Sequence, residues 1–181
     1  LSIAFPHGLR IDCMDEELIE LFEKAGVYKV TYAIETASEN LQKIINKNLD
    51  LEKAKEIIEL TSERNIIVCG YFMLGFPDET EKEMKQTIEY AKNSKFDIAA
   101  FFKYSNLYEK MNKEYIIDES FTKFGYFSKN DNLSDMKINA FLLISQWKFY
   151  LNYKRLKNIF TKSKNKVMFI KQFIKFIGNM I

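Results

Sequence analysis

The chain has 181 residues, 27 Lys and Arg against 25 Asp and Glu, and is 47% hydrophobic and 15% aromatic. With only 6 Gly and 2 Pro it is neither disordered nor collagen-like, and its length suits one domain with an appendage. Its two cysteines, Cys13 and Cys69, lie 56 residues apart without CxxC spacing, which argues against a disulfide framework or a zinc site and for a reducing, cytoplasmic compartment.

In chain order, residues 2–5 and 9–11 form a short extended stretch. Asp15 then offers an N-cap to a helix with Leu18, Ile19, Leu21 and Phe22 on one face, stopped by Gly26. Residues 28–34 read as a strand, with Val30, Tyr32 and Ile34 alternating against Lys29, Thr31 and Ala33. Ser38 starts a short helix and Asp50 caps a longer one, with Ala54, Ile57, Ile58 and Leu60 at helical spacing. Residues 66–74 are apolar almost throughout, as suits a parallel strand buried on both faces. Thr80 and Glu83 form a capping box that opens a helix through Ile88 and Ala91, and residues 97–102 supply a further strand.

The net charge of +2 conceals a split. Residues 136–181 carry ten Lys or Arg and no acid, which leaves 17 basic against 25 acidic residues, or −8, in positions 1–135. No run of about 18 uncharged apolar residues occurs, and the first residues lack a charged leader, which argues against a spanning helix or signal peptide. The start at Leu1 suggests a chain that begins within a longer protein.

Repeated strand–helix units imply a parallel sheet with right-handed crossovers, whose ligands sit at the carboxyl ends of the strands. That directs attention to residues 10–13, 35–38, 75–80 and 101–105. Glu35 is the most unusual of them. A carboxylate ending an apolar strand must face solvent or accept hydrogen bonds. An ordinary solvated acid accounts for it equally well on spacing alone, and an ordinary turn accounts for Gly75 to Asp78. The lone histidine, His7, reads as a surface or turn residue, and each cysteine as a small buried hydrophobe.

The series Gly8-Leu9-Arg10-Ile11-Asp12, Val30-Thr31-Tyr32-Ala33-Ile34-Glu35-Thr36-Ala37-Ser38, Ile45-Asn46-Lys47 and Gly70-Tyr71-Phe72-Met73-Leu74-Gly75-Phe76-Pro77-Asp78-Glu79-Thr80 resembles the radical S-adenosylmethionine (SAM) enzymes. It is most similar to the group with a cobalamin-binding domain ahead of the radical domain, which includes the anaerobic magnesium-protoporphyrin ester cyclases. The likeness covers about residues 1–110. It implies an α/β fold, the last four strand–helix units of a partial (β/α)6 TIM-like barrel over residues 1–112, followed by a basic helical extension over residues 113–181. It further implies SAM and a 4Fe-4S cluster as cofactors, with cobalamin in a domain outside this chain. The CxxxCxxC motif that binds such a cluster is missing here. The expected whole is therefore either an enzyme whose cluster ligands lie outside this chain, or a degenerate barrel that binds SAM or a partner without chemistry.

Carried across residue by residue, the resemblance implies that Glu35 binds the ribose or methionine part of SAM, that Arg10 faces the methionine group and that Lys47 lies near its carboxylate. Gly75 would admit the adenosine close to the backbone, Tyr71 would make a contact, and Met73 and Phe102 would wall the adenine. No catalytic acid or base is indicated, since the cofactors supply such chemistry. The expected partners are a reducing electron donor and a small-molecule substrate, lipid or tetrapyrrole-like in kind.

In the tail, Ser134 can cap a helix bearing Ile138, Phe141, Leu142, Ile144, Ser145 and Phe149, packed over the barrel or its mouth. A second helix over residues 167–177 places Ile170, Phe173, Ile174 and Ile177 on one face and Lys171 and Lys175 on another. Such a basic amphipathic helix can dock on the protein or lie on an anionic membrane as a peripheral module. Nucleic acid is not an expected partner, because the lysines lack interleaved stacking motifs.

Overall fold

The computed structural model describes residues 2–104, 133–163 and 165–178. Its elements are β1 (Ile3–Leu9), a 3-10 turn (Ile11–Cys13), α1 (Glu16–Lys24), β2 (Val27–Glu35), α2 (Glu39–Ile44), α3 (Leu51–Glu63), β3 (Ile67–Leu74), α4 (Glu81–Asn93) and β4 (Ile98–Lys103). Three further helices follow: α5 (Asp135–Tyr150), α6 (Tyr153–Lys162) and α7 (Lys166–Gly178). The expected caps form. Asp15, Ser38, Asp50 and Ser134 each accept a first-turn backbone N–H, and Thr80 and Glu83 close a reciprocal capping box.

The strands lie in the order β1-β2-β3-β4 and every adjacent pair is parallel. Sequential parallel strands joined by helices curve into the arc of an α/β barrel, here four strands of it. One face of the arc packs on helices. Tyr32 Oη lies 2.9 Å from Thr61 Oγ1 of α3, Phe72 stacks on Phe101 at 5.3 Å, and Phe101 meets Phe149 of α5 edge-on at 6.4 Å. Val30, Tyr32, Ile34, Val68, Phe72 and Leu74 are completely buried in this layer. Phe141 and Phe149 of the tail share the same core. The expected change from barrel to tail at residues 112–113 lies outside the described residues, as do Ser105 and the side chains of Phe173 and Ile177.

Three details differ from the sequence-based expectation. First, β1 is one strand that runs through Pro6 and Gly8, and residues 11–13 are not extended but form the 3-10 turn. The proline is accommodated because pairing with β2 is irregular between Phe5 and Leu9. Second, Asp97 precedes β4 instead of starting it, and its Oδ2 accepts the Val68 N–H at 2.9 Å. Third, α6 is an additional helix, capped by Asn152.

That helix fastens the basic tail to the acidic barrel. Arg155 is buried, lies 3.8 Å from the centre of the Phe149 ring, and donates to the carbonyls of Lys92, Ser94, Phe96 and Phe149. Two of those carbonyls lie at the end of α4, where unpaired acceptors favour a cation. Lys162 Nζ donates to Asp97 Oδ2 at 2.9 Å, to Ser62 Oγ and to the Ile66 carbonyl, in a pair almost fully buried on both sides. Lys137 and Lys148 of α5 pair with Glu81 and Glu89 of α4. Among the described residues no helix is long and apolar enough to cross a membrane.

Candidate functional site

The carboxyl ends of the strands open into a cleft of about 570 Å³. Arg10, Glu35 and Lys47 line one part of it, and Met73, Phe76 and Tyr104 supply an apolar and aromatic part. These residues come from separate strand–helix units and meet only because the parallel strands all end on one edge.

Glu35 terminates β2 in a left-handed conformation, with φ at 71°. The Thr36 N–H donates to the Ile34 carbonyl at 3.0 Å, the three-residue closure of a γ-turn, and the pairing with β3 slips between Ala33 and Glu35. A non-glycine residue there is strained, a state that persists only where the surroundings enforce it. The enforcing group is Gln42 of α2. Its buried Nε2 donates to the Ile34 carbonyl at 2.9 Å and the Thr36 carbonyl at 2.6 Å, while its Oε1 accepts the Leu49 N–H.

Lys47 reaches the same turn. Its Nζ lies 3.2 Å from Glu35 Oε1 and 2.5 Å from the Ala33 carbonyl. Left-handed Asn46 and Asn48, with φ of 53° and 49°, flank it, and asparagine tolerates that region better than most residues. Arg10 is more open, its side chain 68% exposed, and it grips Asp12 through both nitrogens of the guanidinium fork. That hydrogen bond holds the Asp12 carboxyl below its ordinary range.

Met73 lines the cleft. Tyr71 and Phe102 do not; they meet edge to face at 5.5 Å, and the Tyr71 hydroxyl donates to the Pro6 carbonyl. At Gly75, φ is +87°, and the volume a side chain would take is filled by Ile138 of α5, whose atoms lie 3.0 Å from a would-be Cβ. The Gly75 and Phe76 N–H groups donate to Glu79 Oε2, so this buried carboxyl group folds the turn that carries Phe76 to a tilted contact with Tyr104, 4.4 Å between ring centres. Burial raises the Glu79 pKa to about 7, against the opposing pull of those two N–H donors. Gln42 had no signal in the sequence beyond a polar residue beside an apolar one, and Glu79 was marked only as part of the strand end at residues 75–80, without a role of its own.

His7 is exposed. Cys69 is buried, and burial pushes its thiol up to about 11, whereas Cys13 is exposed, contrary to expectation, because Ile11 and Met14 take the inward positions around it. Among the described residues no three His, Cys, Asp or Glu side chains cluster to hold a metal. The cleft thus combines charged side chains with an apolar and aromatic wall, and its described residues offer no set of thiolates for an iron–sulfur cluster.

Residues 5–91 match the model of the Radical SAM superfamily. Cytidylyl-2-hydroxyethylphosphonate methyltransferase of Streptomyces wedmorensis is 35% identical over 109 residues, which cover 56% of this chain and 20% of that protein. Anaerobic magnesium-protoporphyrin IX monomethyl ester cyclase of Rubrivivax gelatinosus is 25% identical over 160 residues, covering 84% of this chain and 29% of the cyclase. Among solved structures, the radical SAM enzyme coproporphyrinogen III oxidase (HemN) of Escherichia coli superposes with a TM-score of 0.59 at 13% identity, over 82% of this chain and 31% of that one. The radical SAM methyltransferase TsrM of Kitasatospora setae, solved with cobalamin and a [4Fe-4S] cluster, superposes with a TM-score of 0.52 at 17% identity, over 57% and 20%. The chain spans between a fifth and a third of the length of these relatives.

Proposed function

We propose that this chain, which belongs to the radical SAM superfamily, is the part of a radical enzyme's barrel that seats SAM, within a longer protein that carries the cluster ligands. The observation that supports this most directly is the convergence of Glu35, Lys47 and Arg10 with Met73, Phe76 and Tyr104 on one cleft at the carboxyl edge. SAM has matching parts: an ammonium and two ribose hydroxyls for a carboxylate, a carboxylate for cations, and an adenine for an apolar wall.

In this reading Glu35 accepts from the ribose hydroxyls or the ammonium. Lys47 and Arg10 neutralise the methionine carboxylate, Lys47 as a point charge and Arg10 through its fork. Ligand binding then exchanges the Glu35–Lys47 and Arg10–Asp12 contacts for contacts to SAM. Met73 walls the adenine from the floor, while Tyr71 and Phe102 support it from within the arc. A cluster held by residues outside this chain would supply the electron for reductive cleavage of the SAM sulfonium, with methionine as the leaving group; this chain's residues would bind and orient SAM. The outcome is methyl transfer, cyclisation or a related step on a small molecule, with a cobalamin domain and an electron donor as further parts, in the reducing conditions of the cytoplasm. The methyltransferase and cyclase relatives support that range of outcomes, and the cyclases make a tetrapyrrole-like substrate the first to try.

The test is anaerobic reconstitution of the full-length protein with iron, sulfide and dithionite. The expected result is 5′-deoxyadenosine released from SAM, together with SAM binding that weakens in the Glu35→Ala variant. Binding without 5′-deoxyadenosine would identify a non-catalytic barrel, and absence of both would overturn the reading.

A further inference from the structure

We propose that α7 is an interfacial helix that lays its outer face on an anionic lipid surface. The helix is held to the protein on one side, where the Phe169 ring meets the Phe160 ring of α6 edge-on at 5.9 Å and Lys166 Nζ stands 5.2 Å from the centre of the Phe160 ring. Its opposite side is apolar and open to solvent: Val167 is 66% exposed, Ile170 48% and Ile174 64%. At 100° per residue these three positions fall within an arc of about 60°, and Phe169 lies about 130° from its centre. The exposed residues Lys171 and Lys175 flank the stripe along one edge.

Charge selects the occupant. No acidic residue follows Asp135, so nothing on α7 or α6 offsets these lysines. Four of the tail's cations, Lys137, Lys148, Arg155 and Lys162, are committed to the barrel, whereas Lys171 and Lys175 point outward beside the apolar stripe. The three described aliphatic side chains alone make a patch well below the roughly 1,000 Å² in total that a stable protein interface needs. Two copies meeting through this face would also bring like charges together. A bilayer interface asks for less: a few apolar side chains at the acyl boundary, with long lysine stems reaching the headgroups.

The experiment is co-sedimentation of the protein with vesicles of phosphatidylcholine containing 30% phosphatidylglycerol, and with phosphatidylcholine alone. Binding is expected on the anionic vesicles only. Lys171→Gln with Lys175→Gln should weaken partitioning about 30-fold, from about fivefold per lysine near an anionic surface. Ile170→Ser with Ile174→Ser should weaken it about tenfold or more through lost apolar contact. All four positions are exposed, so the circular dichroism spectrum should be unchanged. Lys154→Gln with Lys157→Gln, which removes two exposed cations from α6, should bind as the parent does. No binding to the anionic vesicles, equal binding to both vesicle types, or equal loss in the α6 control would overturn the proposal. So would a concentration-dependent dimer in light scattering that the Ile170→Ser, Ile174→Ser pair abolishes.

Discussion

Gln42 holds Glu35 from both sides, its amide donating to the carbonyls of Ile34 and Thr36, the residues immediately before and after the left-handed turn. Gln42 does not line the cleft, so on the proposed reading its effect on SAM runs through Glu35. Gln42→Leu keeps the volume but strands the Thr36 carbonyl and the Leu49 N–H in the interior, while the Ile34 carbonyl keeps only the Thr36 N–H. We expect a loss of about 2–4 kcal/mol in urea unfolding, from unsatisfied buried groups. SAM affinity of the full-length protein should fall at least about tenfold, as expected when a positioning contact is lost.

Glu35→Gln separates charge from shape. The amide can still accept from Lys47, which also keeps the Ala33 carbonyl, so the stability loss in this largely buried pair should stay within about 1–2 kcal/mol. The loss of charge-assisted contacts should weaken SAM binding by about 1.5–3 kcal/mol. Equilibrium dialysis with labelled SAM on the reconstituted full-length protein measures it, and unchanged affinity would remove Glu35 from the ligand contacts.

Glu79 makes stability depend on pH. Its pKa is raised from 4.5 to about 7 by burial, so the folded state holds a proton that the unfolded state releases. The contribution is complete below about pH 4.5 and is lost as pH rises through about 7, with a span on the order of 3 kcal/mol. Urea midpoints across that window should show the parent falling relative to Glu79→Gln, whose amide oxygen can still accept from Gly75 and Phe76. Parallel curves would mean that Glu79 is ionised throughout.

Gly75→Ala should be destabilising for two reasons that a second substitution separates. The φ of +87° costs any L-residue about 1–2 kcal/mol, and the new Cβ must displace Ile138. Ile138→Val removes the Cδ1 contact and should recover part of the steric loss but none of the backbone cost. Thermal melts of the two single variants and the double would read this as non-additivity.

Lys162→Met should cost about 3 kcal/mol or more, because it leaves Asp97 as a buried carboxylate without its cation. Asp97 would retain only the Val68 N–H and the Asn158 amide. Urea denaturation measures the loss, and the α6 amides should lose hydrogen-exchange protection first.

The strand–helix alternation, the caps and the cleft edge were legible in the sequence because each leaves a local mark: an apolar run, an Asp or Ser before a periodic face, a glycine after a strand. α6 was not legible, because what it buries is largely polar. Its inward groups are Arg155, Ile159 and Lys162, and only the partners of the two cations, at the end of α4 and just before β3 and β4, distinguish them from surface cations. The same holds for Gln42 and Glu79, whose acceptors and donors are backbone groups. The charge split pointed to two unlike segments; in the fold it is in part the complementarity that joins them. Arg10, Glu35, Lys47 and Met73 converge because strand ends align, whereas Tyr71 and Phe102 pack edge to face on each other outside the cleft lining.

If Glu35 binds the ligand as proposed, its left-handed backbone sets fold stability and ligand binding against each other at a single position. Glycine would occupy that turn without strain, and selection for thermal resistance alone would drift toward it, losing the carboxylate. A Glu35→Gly variant that resisted heat better yet no longer held its ligand would be the signature of a residue retained for its side chain at the expense of its backbone.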